Sequence, residues 1–241
     1  MKGVVYIIEV ILIDVDDTLF DYQKAEKHAI FSSLRYFNVE GNFIDIQKKY
    51  NEINKKLWAD LENRKIEKEV LKYKRFEYLS IECNLDYNPI EFSDYYLTKL
   101  GEGTFLIDGS EEVCEYLNQK YKLVIVTNGV KEVQISRINN SKIRNYISEI
   151  VISDEIGISK PDYKIFEYAL NKVNYTGSKD RVIMIGDSLT ADIQGGINYG
   201  IKTCWVNLFD KENNINIKPT YEVNNLYDLK DILWWYRVKI I

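Results

Sequence analysis

The sequence predicts an α/β fold, namely a doubly wound parallel sheet with an inserted helical domain. Short apolar runs recur along the chain and alternate with helical patterns, which is typical of a parallel sheet covered on both faces. One connection between strands is far longer than the others, which predicts the insertion. The predicted strands lie at 6–13, 122–128, 149–153, 181–187 and 202–207, and the helices at 110–120, 130–140, 161–173 and 189–199.

The predicted elements are bounded by residues that end strands or begin helices. The first strand, VILI, runs directly into Asp14, and the second, KLVIV, runs into Thr127. The fourth, VIMIG, is closed by Asp187 after a glycine. The helix after the third strand is expected to begin at Pro161, since proline is favoured in a first helical turn.

Composition indicates a globular protein that acts on small molecules. The 241 residues are 46% apolar and 29% charged, with a net charge of −5. A chain of about this length accommodates one sizeable core, or one core and a smaller satellite domain. Basic and acidic residues are interleaved, so no basic patch is built to neutralise a nucleic-acid backbone. We therefore expect a small-molecule substrate and no nucleic-acid polymer as partner.

Cysteine usage and the N-terminal run bear on localisation. The three cysteines are far apart, which favours reduced thiols over a disulfide framework or a zinc site. The apolar run at 4–13 is interrupted by Glu9. A helix needs about 20 residues to span a bilayer, so this run is too short to do so, and it does not resemble a signal peptide. We expect a cytoplasmic protein without a membrane partner.

The long connection separates Asp14 from Thr127, whereas a crossover with its helix needs only about a dozen or two residues. Its first part is rich in Lys, Glu, Tyr and Leu at helical spacing. We therefore expect an α/β core domain formed by 1–20 and 101–241, and a helical cap domain formed by 21–100. Because the cap leaves the core after the first strand, we expect it at the end of the sheet where that strand stops.

Polar residues follow the predicted strands at the place where doubly wound sheets carry their sites, beyond the carboxyl ends of the strands. The groups that converge are three or four carboxylates, one hydroxyl and one ammonium, all expected at the same edge. The candidate residues are Asp14, Asp16, Thr18, Thr127, Asn128, Lys160, Asp187 and Asp192.

Taken singly, each candidate also fits an ordinary structural role. Asp17 or Asp21 could cap the helix that follows the first strand. Thr127 could simply end its strand, and Lys160 could be a solvated lysine. Asp192 could lie on a helix surface. It is their convergence at one edge that favours a functional site.

The converging groups suit phosphoryl transfer. Clustered carboxylates repel one another, so they persist where a hard divalent cation offsets their charge, and Mg²⁺ prefers oxygen ligands. Together with a lysine, a hydroxyl and backbone N–H groups they form a cradle for a phosphoryl group. A carboxylate can also be the nucleophile, which gives an acyl phosphate. We therefore expect Mg²⁺ as cofactor and a phosphomonoester as substrate.

These residues, in this order, resemble the haloacid dehalogenase (HAD) superfamily, whose core is Rossmann-like. The insertion resembles the type 1 helical cap of that superfamily. Four of its motifs are present as DVDDT, VIVTNG, SKPD and GDSLTAD. The residues that match them are Asp14, Asp16, Thr18, Thr127, Lys160, Asp187 and Asp192.

The resemblance implies a division of labour among the acids. Asp14 would attack phosphorus and become phosphoaspartate. Asp16 would protonate the leaving alkoxide and then deprotonate water, and crowding by carboxylates favours the protonated form that an acid catalyst needs. Mg²⁺ would be held by Asp14, by the backbone carbonyl of Asp16 and by Asp187.

The remaining motif residues would bind phosphate or support the site. Thr127, Asn128 and Lys160 are expected to contact phosphoryl oxygens, and Lys160 would also offset the charge on the nucleophile. The resemblance implies that Thr18 braces its loop. It further implies that Asp192 orients Lys160 or a metal-bound water.

Finer resemblance extends to the cap sequence NKKLWADLENRKIEKEVLKYKRF and to IGDSLTADIQGGINYGIKTCWVN, which look like the pyrimidine 5′-nucleotidase subfamily. This implies pyrimidine (deoxy)nucleoside monophosphates as substrates. An aromatic side chain such as Trp58 or Tyr22 could stack on the base, or could simply pack within the cap.

Three other functions compete with this interpretation. A phosphatase of sugar phosphates or other small phosphoesters would use the same core with different cap contacts. A 2-haloacid dehalogenase attacks carbon without a metal, so the presence of Asp16 and Asp187 favours phosphate chemistry. A phosphoacceptor signalling module also combines Asp, Thr and Lys on a parallel sheet, but it needs only about half this length and no cap.

Two features depart from the resemblance. The stretch LIDGSEE carries Asp108 where many relatives have proline, which changes a linker. The chain ends in the apolar sequence LWWYRVKII, which could pack on the core or form a dimer contact. The sequence is therefore compatible with two oligomeric states, a monomer and a homodimer.

Overall fold

The protein, seen in a computed structural model that describes residues 8–63 and 65–238, divides into two compact units. The core unit combines Met1–Tyr22 with Phe105–Ile241, and the helical unit is Gln23–Thr104. The assignment of the helical unit as a substrate cap stays a prediction. No helix in the described residues is long and apolar enough to cross a membrane.

The helical unit consists of α1–α4, with Tyr22 of α1 counted in the core unit. Asn42 and Asn88 cap two of these helices by accepting backbone N–H groups, and a proline follows Asn88 in the first turn. The interior is aromatic and surrounds the buried Arg75, whose guanidinium donates to Tyr50 at 3.2 Å. The helices are α1 (Tyr22–Tyr36), α2 (Phe43–Glu62), α3 (Lys68–Cys83) and α4 (Pro89–Gly101).

The core unit contains a parallel sheet in the order β3-β2-β1-β4-β5-β6. The predicted parallel sheet is therefore confirmed. The three-residue strand β6 was not predicted, because it carries no apolar run, and 6–7 of the predicted first strand lie outside the described residues. The strands are β1 (Val10–Ile13), β2 (Lys122–Thr127), β3 (Glu149–Ile152), β4 (Val182–Gly186), β5 (Lys202–Val206) and β6 (Tyr221–Val223).

Both faces of the sheet are buried, which explains why its central strands are continuous apolar runs. In β1, Ile11 and Ile13 belong to one hydrophobic cluster, while Val10 and Leu12 belong to the cluster on the opposite face. Successive side chains of a strand point to opposite faces. All four side chains of β1 are therefore removed from water. Burial of each aliphatic side chain stabilises the folded state by about 1.5–3 kcal/mol.

Helices cover both faces, as the doubly wound prediction requires. Val113 of α5 and Leu229 of α10 lie in one cluster, and Phe166 of α8 and Tyr199 of α9 lie in the other. The core helices are α5 (Ser110–Asn118), α6 (Lys131–Asn139), α7 (Ser153–Ile156), α8 (Lys164–Lys172), α9 (Gln194–Tyr199) and α10 (Asp228–Val238). Short 3₁₀ turns lie at Lys142–Tyr146 and Lys179–Arg181, and a π turn at Leu189–Ile193 precedes α9.

Among the differences from the predicted helices, two concern the stretch after Pro161 and the C-terminal residues. The helix expected from Pro161 begins at Lys164, because Asp162 first forms a turn and then accepts the Lys164 N–H at 3.0 Å. The C-terminal residues include α10, whose Leu233 packs in the core. The side chains of the apolar tail beyond Leu233 lie outside the described residues.

Candidate active site

Strand pairing brings the ends of β1, β2 and β4 level with one another. Ile13 is paired with Ile125 on one side and with Ile185 on the other. Asp14 continues this pairing one residue further, since its N–H donates to the Ile185 carbonyl at 2.9 Å. The residues after these three strands therefore share the carboxyl edge of the sheet, as the sequence predicted.

Lys160 is the centre of this edge. Its side chain is buried, with the residue only 4% exposed. The ammonium lies 2.5 Å from Asp14 Oδ1, 2.7 Å from Asp192 Oδ1 and 2.6 Å from the Val126 carbonyl. The contacts with Asp14 and with the Val126 carbonyl are hydrogen bonds, and the contact with Asp192 is an ion pair. A solvated surface lysine, the structural alternative, is excluded.

Two side chains hold Lys160 in place. The Asn128 amide pairs with the Lys160 backbone at both ends, donating to its carbonyl at 2.9 Å and accepting its N–H at 2.9 Å. Asp192 is itself anchored, because its Oδ2 accepts the Ser188 N–H at 3.0 Å. Asn128 therefore turns its side chain to the lysine backbone, and its part in phosphate binding stays a prediction.

Three carboxylates crowd around the lysine. Asp14, Asp187 and Asp192 each offer an oxygen, and these oxygens lie within 4.8 Å of one another. Burial raises the pKa of Asp14 to about 7, with Lys160 opposing the rise and Asp192 adding to it. Burial likewise raises the pKa of Asp187 and of Asp192. Because these folded-state pKa values are raised, ionising the cluster costs stability as the pH rises through them.

The same carboxylates change the pKa of Lys160. Burial by itself would lower the pKa of the ammonium, but the Asp14 and Asp192 carboxylates outweigh it and raise that pKa above its usual value. The lysine is therefore charged throughout the ordinary pH range. One ammonium cannot offset all three carboxylates when they are ionised.

The donor set fits a hard divalent cation such as Mg²⁺, which prefers carboxylate and carbonyl oxygens. Asp14 and Asp187 were predicted as ligands, and the geometry places Asp192 within reach as well. Both oxygens of Asp192 are already engaged, one by Lys160 and the other by the Ser188 N–H. This favours Asp14 and Asp187 as the carboxylate ligands.

Thr127 at the end of β2 is buried and well defined by its neighbours. Its Oγ1 accepts the Gly129 N–H at 3.2 Å and the Gln134 Nε2 at 3.2 Å. These two bonds use the acceptor sites of the hydroxyl, so its own proton can be donated. A side chain at Gly129 would collide with the Gln134 amide, which explains the glycine in the TNG sequence.

Asp16 is bound through both carboxylate oxygens by α6. Gln134 Nε2 donates to Oδ2 at 2.5 Å, and the Arg137 guanidinium forms an ion pair with Oδ1. Sequence reasoning missed both donors. The available signal was a glutamine and an arginine three residues apart in the helix after TNG, which places them on one face.

The loop after β1 closes through its backbone. The N–H groups of Thr18 and Phe20 both donate to the Val15 carbonyl, at 3.3 and 2.9 Å. Thr18 is fully buried, and within the described residues its hydroxyl has no hydrogen-bond partner. Asp17 adopts a left-handed φ of 55° and accepts the Tyr22 N–H at 3.2 Å, which is the helix-capping alternative.

Lys211 was also missed by the sequence analysis. It lies in the polar loop after β5, where its ammonium is 2.9 Å from Asp187 Oδ2. Asn207 holds this loop by accepting the Lys211 N–H at 2.8 Å. The Trp205 indole donates to the Asp187 carbonyl at 2.9 Å. The fifth strand therefore supports the end of the fourth.

A doubly wound core with an insertion after its first strand, and with acids and a lysine at its carboxyl edge, defines a Rossmann-like α/β protein with a polar site at its strand ends. The chain belongs to the haloacid dehalogenase-like hydrolase family, because the sequence profile of that family matches residues 11–206. This confirms the resemblance seen in the four motifs.

The chain is similar to relatives over nearly its whole length. It is 32% identical to the pyrimidine 5′-nucleotidase YjjG of Escherichia coli, over 92% of this chain and 96% of the relative. It is 35% identical to the pyrimidine 5′-nucleotidase PynA of Streptococcus pneumoniae, over 92% of this chain and 94% of the relative. The crystal structure of YfnB from Bacillus subtilis, bound to magnesium, matches with a TM-score of 0.88 and 35% identity. The match covers 94% of this chain and 99% of the YfnB chain.

Replacing Lys160 by methionine should destabilise the protein in a pH-dependent way. Two buried carboxylates lose their cation, and removing one partner of a buried pair costs about 3–5 kcal/mol. In EDTA we expect this loss to be small at acidic pH and to grow as the pH rises above 7, because wild-type Asp14, with its pKa of about 7, then ionises beside Lys160 and the variant has no cation for it. Urea denaturation followed by circular dichroism measures it.

Lys142→Met is the matched control, because Lys142 pairs with Glu111 at the surface. Exposed pairs are screened by water, so the urea midpoint of this variant should stay close to that of the wild type at every pH. An equal loss in both variants would contradict the central role of Lys160.

Proposed function

We propose that this protein is a Mg²⁺-dependent phosphomonoesterase that works through a phosphoaspartate and hydrolyses pyrimidine (deoxy)nucleoside monophosphates. The observation that carries the proposal is the buried Asp14, held 2.5 Å from the Lys160 ammonium at the carboxyl edge of the sheet. The names of YjjG and PynA, both pyrimidine 5′-nucleotidases, support the substrate class.

In the first step, Asp14 attacks the phosphorus of the substrate. Lys160 fixes the Oδ1 oxygen, so the carboxylate is held in one orientation. As the new P–O bond forms, the ester P–O bond breaks, and the leaving alkoxide takes a proton from Asp16. The products of this step are the free nucleoside and a phosphoaspartate at Asp14.

In the second step, water hydrolyses the intermediate. The Asp16 carboxylate, ionised after the first step, takes a proton from water, and the hydroxide attacks phosphorus. The acyl phosphate bond breaks, which releases inorganic phosphate and restores Asp14. Asp16 therefore returns to its protonated form, and one general acid and base serves both steps.

Thr127 and Lys160 contribute differently to phosphate binding. The Thr127 hydroxyl can donate to a phosphoryl oxygen, because its acceptor sites are already used. The Lys160 ammonium already donates to Asp14 and to the Val126 carbonyl and is paired with Asp192, so a phosphoryl oxygen would compete with these contacts. Its first contribution is positive charge beside the nucleophile, which opposes repulsion between Asp14 and the phosphate.

Mg²⁺ would be held by the carboxylates of Asp14 and Asp187 and by the backbone carbonyl of Asp16. When bound, it would polarise the phosphoryl group and offset the charge of the acids. The raised pKa of Asp14 and of Asp187 supports a site that needs a cation. The magnesium in the YfnB structure supports the identity of the ion.

The helical unit Gln23–Thr104 is proposed as the cap that selects the substrate. The chain leaves the site for this unit directly after Phe20, and Asp17 caps the helix that begins there. A sugar-phosphate phosphatase would use the same acids, so the two substrate classes differ only in what the cap accepts. Asp16 and Asp187 together argue against a metal-free dehalogenase.

Phosphate release over a panel of phosphoesters should show the highest kcat/KM for pyrimidine nucleoside monophosphates such as dUMP and dTMP. The panel includes purine nucleotides, sugar phosphates and small phosphoesters. A higher kcat/KM for sugar phosphates would contradict the nucleotidase proposal and keep the phosphatase proposal. Release from none of them would contradict both.

Asp14→Asn should abolish turnover and leave the fold intact. The amide has the shape of the carboxylate but is not a nucleophile, and Lys160 keeps Asp192 as a partner. Phosphate release and circular dichroism measure the two outcomes. Asp108→Asn changes an exposed acid of the core unit and should keep wild-type turnover. Turnover by a folded Asp14→Asn protein would exclude the phosphoaspartate.

Treatment with EDTA should abolish phosphate release, and Mg²⁺ should restore it. Added Mg²⁺ should also raise the thermal midpoint, because a ligand that binds the folded state stabilises it. Asp187→Asn should bind Mg²⁺ more weakly by isothermal titration calorimetry, whereas Asp108→Asn should bind it like the wild type. Equal Mg²⁺ affinity in the two variants would show that Asp187 is not a metal ligand.

A further inference from the structure

Asp16 is held through both of its carboxylate oxygens, although its side chain is partly exposed. Gln134 holds one carboxylate oxygen at 2.5 Å and Arg137 holds the other. Both donors come from one face of α6, and neither belongs to the four motifs. A single helix therefore determines where this carboxylate points.

The two donors are buried and held by packing. Arg137 is 0% exposed and Gln134 is 1% exposed. The Arg137 guanidinium lies over the Phe20 ring at 4.7 Å and over the Tyr22 ring at 5.8 Å, within the range of cation–π contacts. Burying an arginine costs free energy that an ion pair with good geometry has to offset. The pair with Asp16 supplies that compensation.

Gln134 also connects two parts of the site. Its Nε2 donates to Asp16 Oδ2 and to Thr127 Oγ1, at 2.5 and 3.2 Å. The amide therefore sets the position of the acid relative to the hydroxyl at the end of β2. Because Gly129 carries no side chain, the amide can reach both atoms.

We propose that Gln134 and Arg137 are positioning residues that hold Asp16 in line with the leaving oxygen of the substrate. The inference rests on the proposed function, in which Asp16 is the general acid and base. A carboxylate has about four lone-pair sites, so two donors leave room for the catalytic proton. A displacement of about 1 Å in a reacting group can lower the rate about 10²-fold.

The leaving group separates positioning of the acid from other effects. An alkoxide needs a proton from Asp16, whereas the p-nitrophenolate ion leaves without one. We compare kcat/KM for the best alkyl phosphate of the substrate panel with that for p-nitrophenyl phosphate. Loss of folded protein or of phosphate affinity would lower both values by the same factor, and misplacement of Asp16 would not.

Arg137→Met should lower kcat/KM for the alkyl phosphate about 10²-fold, the lower end of the range for general acid catalysis, and for p-nitrophenyl phosphate by less than about tenfold. Arg137→Lys keeps the charge and should recover part of the alkyl phosphate rate. Gln134→Leu should show the same selective loss, and it carries the test if Arg137→Met does not fold. Equal losses on both substrates, or no loss, would overturn the inference.

A control and a double variant complete the test. Arg181→Met breaks an exposed arginine pair with Glu9 near the amino ends of β1 and β4, and both kcat/KM values should stay at the wild-type level.

On the alkyl phosphate, Arg137→Met should add little to the loss caused by Asp16→Asn, because the effects of coupled residues are not additive. Additive losses would show that Arg137 acts without Asp16.

The two proposals fail in different ways. If the wild type hydrolyses phosphoesters and the Arg137 and Gln134 variants lose both substrates equally, only the positioning role is wrong. If the wild type hydrolyses no phosphoester, including p-nitrophenyl phosphate, the proposed function is wrong and the positioning role falls with it.

Discussion

The buried contact of the Lys160 ammonium with Asp14 and Asp192 is the interaction on which the rest of the site depends. Without a cation, these two carboxylates would be forced together in a region with little water, where like charges repel strongly. The lysine makes their proximity tolerable and orients Asp14. The remaining negative charge makes this edge of the sheet chemically suited to a divalent cation.

The sheet makes this contact possible by holding its components at a common edge. The pairing of Ile13 with Ile125 and Ile185 brings three strand ends level, and burial of both faces keeps that register. A slip of one residue would move every side chain to the opposite face. The apolar runs therefore stabilise the protein and also place the acids where they meet Lys160.

The helices after the strands supply the finer orientation. Asn128 pairs with the backbone of Lys160, and the Ser188 N–H binds Asp192. In the loop after β1, Asp16 is bound by Gln134 and Arg137 of α6. Lys160, Asp16 and Asp192 thus each have a partner from another element. Rigid positioning of this kind is what phosphoryl transfer requires from a protein.

The sequence by itself determined the parallel sheet, the insertion after β1 and the strand-end residues of the site, because apolar periodicity and motif spacing are local signals. Only the tertiary structure decided that Asn128 faces Lys160, that Gln134 and Arg137 bind Asp16, and that Lys211 reaches Asp187. These contacts join residues distant in the chain. Side-chain direction and packing set them, and neither can be read from spacing alone.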